Sequence, residues 1–261
     1  MRMETFKIQV EGSMPDTKMT VYIQETSPEL LMNKRPMILL CPGGGYHWTS
    51  DREADPLAVR FLAMGYHVAI LRYSCAPAGY PTSLLEAATA MKLIHEHAQE
   101  WQVNEEKIVI QGCSAGGHLA ASLGMFWHEA WLSEKVGVPN GQLRPAGMIL
   151  CYPVITSGEY AHRGSFENLL CGQYTGEMLE RVSLEKQVTE HTPKAFIWHT
   201  FSDSCVSVLN SMDYAKRLWA NQVEVELHIY PHGEHGLGLA PDDPHVAQWS
   251  ESLLQWLSLY E

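Results

Sequence analysis

Eight short apolar runs divide the chain, and most of the stretches between them carry helical periodicity. Residues 6–10 and 19–24 flank Gly12-Ser13-Met14-Pro15-Asp16, whose turn chemistry predicts an N-terminal hairpin. The next runs cover residues 37–41, 67–72, 108–111, 147–151, 195–199 and 223–230. The middle runs are unbroken rather than alternating, as expected of parallel strands buried on both faces. Helices are predicted over residues 54–64, 83–98, 211–221 and 246–259, with another directly after residue 114. In the 83–98 segment, Leu84, Ala87, Ala88, Met91 and Ile94 recur at helical spacing, and Ser83 with Glu86 reads as a capping box. This βα alternation predicts an α/β class fold: an eight-stranded, mostly parallel sheet with helices on both faces. Residues 158–189 break the rhythm and read as a short cap inserted into a single domain spanning 1–261.

One junction carries chemistry. Gly112-Cys113-Ser114-Ala115-Gly116 joins the strand-type run Lys107-Ile108-Val109-Ile110-Gln111 to the helix-type run beginning Gly117-His118-Leu119. A Gly-x-Ser-x-Gly between strand and helix is a nucleophile elbow, a strained turn that exposes the serine hydroxyl. Ser114 is therefore the candidate nucleophile. Cys113 points inward in such a turn and is set aside as a nucleophile.

A serine hydroxyl needs a base. Of thirteen histidines, His235 stands out, in Pro231-His232-Gly233-Glu234-His235-Gly236-Leu237-Gly238 beyond the last predicted strand. That end of an open α/β sheet is where ligands bind. His232 is the rival base, and a metal reading of His232 with His235 lacks a third ligand. Asp203, in the loop after the run at 195–199, is the candidate carboxylate that orients the imidazole. Asp213, inside the following helix, is its weaker alternative. Pro42-Gly43-Gly44-Gly45-Tyr46 follows the run at 37–41. Its glycines let backbone N–H groups approach a reacting carbonyl, so Gly44, Gly45 and Ala115 are the candidate oxyanion hole. No Lys-Ser/Thr follows the glycines, which argues against a phosphate loop. Tyr46, His47, Trp48 and Tyr73 lie on loops near the expected site and are candidate substrate-binding residues.

Composition narrows the function classes. The 261 residues include 18 Lys and Arg against 30 Asp and Glu, a net charge of −12 that disfavours nucleic acid and anionic membranes as partners. No apolar stretch reaches the roughly 20 residues of a membrane span, and the N-terminus lacks the apolar core of a signal peptide. Six cysteines without a Cys-x-x-Cys pair read as free thiols in a reducing, cytoplasmic compartment. No metal or other cofactor is called for. A homo-oligomer is left open.

These residues together resemble the α/β-hydrolase superfamily, and within it the esterase/lipase group with a His-Gly-Gly-Gly oxyanion loop. The resemblance rests on Gly43-Gly44-Gly45-Tyr46, Arg72-Tyr73-Ser74, Leu85-Glu86-Ala87-Ala88, the elbow with Gly117-His118, the Asp203 loop and His235-Gly236. It departs at Pro42, where the group often has histidine. The chain order Ser114, Asp203, His235 is that of the superfamily. The resemblance is to small bacterial acetyl esterases and acetylxylan-esterase-like sugar hydrolases. It implies a serine esterase acting on a small-molecule ester, a short acyl group, acetyl, on a carbohydrate such as a xylo-oligosaccharide. A peptidase, amidase or arylformamidase on the same fold, or a non-catalytic ligand-binding module, are the alternatives.

Overall fold

The computed structural model describes residues 1–30, 33–139 and 141–259. Its strands are β1 (Arg2–Lys7), β2 (Lys18–Ile23), β3 (Arg35–Cys41), β4 (His67–Arg72), β5 (Val103–Cys113), β6 (Gly147–Cys151), β7 (Ala195–Thr200) and β8 (Val225–Tyr230). They form one eight-stranded sheet in the order β1-β2-β4-β3-β5-β6-β7-β8. The strands from β3 to β8 are mutually parallel, while β2 runs antiparallel to both β1 and β4. The helices are α1 (Asp55–Ala63), α2 (Thr82–Glu96), α3 (Ala98–Trp101), α4 (Ala115–Phe126), α5 (Ala130–Val136), α6 (Arg163–Leu170), α7 (Gly176–Val182), α8 (Leu209–Ala220) and α9 (Trp249–Ser258).

The unbroken apolar runs are explained by two cores, one on each face of the sheet. On β3, Met37 and Leu39 enter the larger core, which takes in α2, α4 and α8, while Ile38 and Leu40 enter the smaller one with α1 and α9. Helix α4 is buried along its whole length, which accounts for its lack of a polar face. The strand order reverses at β3, which has β4 on one side and β5 on the other. Such a reversal opens a crevice at the carboxyl ends of the strands. The loops carrying Gly44, Ser114, Asp203 and His235 follow β3, β5, β7 and β8 and converge on that edge.

Two strand boundaries differ from those expected. The first strand covers residues 2–7 rather than 6–10, because the ladder with β2 runs from Arg2↔Ile23 to Lys7↔Lys18. Its mostly exposed side chains mark an edge strand, so apolar content misplaced it. Strand β5 begins at Val103, well before residue 108, and its early residues Asn104, Glu105 and Glu106 are outside the core. The segment read as a short cap carries no strand and folds into α6 and α7.

The capping box at Ser83 and Glu86 does not form. Helix α2 starts at Thr82, and no side chain caps it. Glu86 is instead wholly buried and accepts hydrogen bonds from Ser13 Oγ (2.6 Å) and the Ser74 amide (2.7 Å). Burial, the largest influence, pushes its carboxyl above the usual range, against the pull of these donors. This carboxylate joins the hairpin turn, the loop after β4 and α2. Removing it strands several buried donors, each worth about 1–3 kcal/mol. Glu86→Ala is accordingly expected to lose about 3 kcal/mol of stability, read as a lower urea midpoint at unchanged slope; an unshifted midpoint refutes the anchoring role.

Candidate active site

The elbow is built by contact. An added Cβ at Gly112 would stand 2.0 Å from the Gly116 carbonyl oxygen, and one at Gly116 would stand 2.1 Å from that of Cys41. Only glycine lets α4 begin this close to β3 and β5. Between them Ser114 is forced to φ +52°, ψ −120°, a region that costs a non-glycine residue about 1–3 kcal/mol. Neighbouring backbone holds it there. The Ser114 amide donates to Cys151 O at 3.0 Å, and Ser114 O accepts from His118 N and Val154 N at 3.1 and 3.0 Å.

Three side chains from distant segments meet at this point. Ser114 Oγ lies 2.8 Å from His235 Nε2, and His235 Nδ1 lies 2.6 Å from Asp203 Oδ2. Since a carboxylate can only accept, Nδ1 carries the proton and Nε2 is free to accept from the serine hydroxyl. The Asp203 side chain is fully buried. Its Oδ1 accepts from the amides of Cys205 and Val206, both at 2.9 Å. Burial alone would raise its pKa. The hydrogen bonds from His199 and His235, with the charge of His235 and the Val206 amide, outweigh that and hold the carboxyl well below the usual carboxylate range.

His199 was not singled out in the sequence, where it is the fifth residue of a buried strand. Its Nε2 lies 3.2 Å from Asp203 Oδ2 and 3.0 Å from Val206 O, and its Nδ1 lies 2.8 Å from Ser211 Oγ. Two acceptors on one nitrogen place its proton on Nε2, so Ser211 donates to Nδ1. His232, the rival base, is exposed. Asp213 is exposed on α8. Cys113 is completely buried, and that burial drives its thiol far above the ordinary range.

The amides of Gly44, Gly45 and Ala115 find no acceptor among the described residues. Their loop is held from two sides. Asn168 on α6 donates to Gly45 O at 2.8 Å. Glu53, a buried carboxylate, accepts from the Gly43 amide at 2.8 Å through Oε2 and from Tyr152 Oη at 2.8 Å through Oε1. Tyr152 Oη in turn accepts from Gly238 N at 2.9 Å, and its ring stands edge-on to His235, with centroids 5.1 Å apart. Thus two residues tie the glycine loop to the histidine loop. Neither has a sequence signal, since Glu53 follows an arginine in a polar stretch that reads as surface.

A cavity of about 380 Å³ opens over Ser114 and His235. His47 and Trp48 line it, as do His162, Gly164 and Asn168 from the inserted segment. Tyr46 and Tyr73, expected as substrate contacts, do not. They are only 2% and 4% exposed, and their hydroxyls are engaged, Tyr46 Oη with His118 Nδ1 at 2.9 Å and Tyr73 Oη donating to Pro42 O at 2.7 Å. They pack under the glycine loop as its floor.

Tyr152→Phe leaves Glu53 Oε1 and the Gly238 amide unsatisfied, so it is expected to destabilise by about 2–4 kcal/mol; a thermal melt equal to wild type contradicts the link between the loops. Burial lowers the His118 pKa to about 4 from an ordinary 6.5, only partly offset by the bond to Val182 O. The unfolded chain therefore takes up a proton first. The contribution is intact above pH 6.5 and declines as pH falls toward 4, by up to about 3 kcal/mol. Urea unfolding across that window should show the decline in wild type and a shallower one in His118→Gln; equal slopes exclude His118 as its source.

Among the described residues no helix is long and apolar enough to cross a membrane. Residues 22–218 match the BD-FAE family. The chain is 35% identical over 221 residues to endo-1,4-beta-xylanase B of Butyrivibrio fibrisolvens, covering 83% of this chain and 34% of that protein. It is 27% identical over 222 residues to an acetylxylan esterase of Xylanibacter ruminicola, covering 83% of this chain and 44% of that one. It therefore spans less than half the length of these two relatives. Among solved structures, an acetyl ester-xyloside bifunctional hydrolase from Caldicellulosiruptor lactoaceticus superposes with a TM-score of 0.84 at 32% identity, covering 93% of this chain and 88% of that one. By the match over most of its length and by its sheet, the chain belongs to the BD-FAE family and has the α/β-hydrolase fold.

Proposed function

We propose that this chain is a serine esterase that removes short acyl groups, acetyl above all, from carbohydrate esters through an acyl-serine intermediate. The observation that carries the reading is the continuous hydrogen-bonded line from Ser114 Oγ through His235 to buried Asp203, next to amides that lack acceptors among the described residues. His235 Nε2 takes the serine proton as Oγ attacks the ester carbonyl. The amides of Gly44, Gly45 and Ala115 receive the developing oxyanion. The imidazolium, stabilised by Asp203, then protonates the sugar oxygen as its bond to the acyl carbon breaks, releasing the free hydroxyl. Water attacks the acyl-serine by the same route reversed, releasing the acid.

Glycines, Cys205 and polar or aromatic side chains form the described walls of the cavity. The short acyl group is taken from the acetylxylan esterase and the acetyl ester-xyloside hydrolase. The carbohydrate assignment leans on the acetylxylan esterase and the acetyl ester-xyloside hydrolase, and acetylated xylo-oligosaccharides are the substrate class taken from them. Trp48, on the cavity rim, offers a flat face for a sugar ring. Six unpaired cysteines fit a reducing, cytoplasmic setting.

Hydrolysis of p-nitrophenyl acetate, butyrate and octanoate is the direct test. The acetate is expected to give the highest kcat/KM, and Ser114→Ala to lower kcat about 10⁴-fold or more. Full activity in Ser114→Ala removes the mechanism. Preference for the octanoate removes the short-acyl assignment, and faster turnover of acetanilides than of acetates reassigns the enzyme as an amidase.

A further inference from the structure

Trp48 is 60% exposed, an unusual setting for the largest side chain, and it is not loosely placed. A Cβ built on Gly44 would lie 3.1 Å from Trp48 Cδ1, so the edge of the indole rests against the glycine loop. His47 stands edge-on to it, with ring centroids 5.6 Å apart. On one side, these two residues line the cavity that holds Ser114. On the other, the same two line a second groove of about 340 Å³, with Thr17, Thr49 and Asp16 also in its walls. Trp48 is thus a ridge shared by two open depressions, one reactive and one without chemistry of its own.

The groove is polar, and one of its groups is uncommitted. Arg72 is taken up by Asp51 (2.7 Å) and by Thr49 O (3.0 Å). Ser74 Oγ is engaged with Thr17 and with the Glu86 carboxylate. The exposed Asp16 carboxylate makes no hydrogen bond or ion pair among the described residues. An aromatic face beside a free carboxylate acceptor is suited to a ligand with alternating apolar faces and hydroxyl donors, which is the chemistry of a neutral sugar chain.

We propose that this groove is a distal subsite for an oligosaccharide. One unit carries its ester into the cavity over Ser114, the next stacks on Trp48, and a further unit lies in the groove with a hydroxyl donated to Asp16. The proposal rests on the esterase reading and deepens it. What it adds is where the rest of the oligosaccharide lies, beyond Trp48 in the groove, and no bond is made or broken there.

The test compares kcat/KM on acetylated xylotetraose with that on acetylated methyl xyloside, in wild type, Trp48→Ala and Asp16→Ala. Wild type is expected to favour the tetramer about tenfold, as one stacked ring and one hydrogen bond allow. Both variants should bring the ratio toward one, mainly through KM. Isothermal titration of unacetylated xylotetraose into Ser114→Ala gives a readout independent of turnover, with binding weakened by adding either second substitution. A wild-type ratio near one, or a ratio that both variants leave unchanged, overturns the subsite. If p-nitrophenyl acetate is hydrolysed through Ser114 in that case, the esterase reading stands without it; if it is not hydrolysed, the esterase reading itself has failed.

Discussion

Everything at the carboxyl edge of the sheet depends on how near α4 comes to the end of β3. Gly116 lies against the carbonyls of Cys41 and Pro42, with room for a hydrogen but not a methyl group. That contact sets the distance between two loops far apart in the chain, the one bearing Ser114 and the one bearing Gly44. It also explains why the serine occupies a costly backbone region. Relaxing Ser114 would withdraw its carbonyl from two amides and push α4 off the sheet. The strain is borne by a helix buried on every side, where packing over-determines the backbone.

A second layer of polar contacts converts this closeness into registry. Glu53 and Tyr152 bridge the glycine loop and the histidine loop, Asn168 fastens the former to the inserted helix α6, and Asp203 receives donors from its own loop and from His199. Each is a buried or half-buried group with a partner, so each resists displacement by the price of leaving that partner bare. The inserted segment is consequently part of the wall of the cavity rather than an appendage above it.

How much of this was legible in the sequence depends on what kind of signal each residue carries. The strands β3, β4, β6 and β7 were readable because burial on both faces leaves no polar interruption. Edge strand β1 and the early part of β5 were misread for the converse reason, having little apolar content. Ser114, Asp203 and His235 were brought to one edge because each follows a predicted strand, and the structure brings their atoms within hydrogen-bond reach. Tyr46 and Tyr73 were misjudged because sequence gives a loop residue's neighbours along the chain but not its direction. Glu86 has capping-box spacing and yet turns inward, since Ser13 and Ser74 arrive from segments more than ten residues away. Glu53 and His199 were invisible because their partners are set by the tertiary fold alone.

Asp203 is attended twice over. Were the imidazole of residue 235 to turn away, two amides and the imidazole of His199 would still face the carboxylate. The anion keeps partners in its own loop and in strand β7, so withdrawing one donor would not oblige the protein to rehydrate or neutralise it. One half of the arrangement is anchored in the sheet and the other in a loop, so the charge at the centre of the site does not hang on a single neighbour.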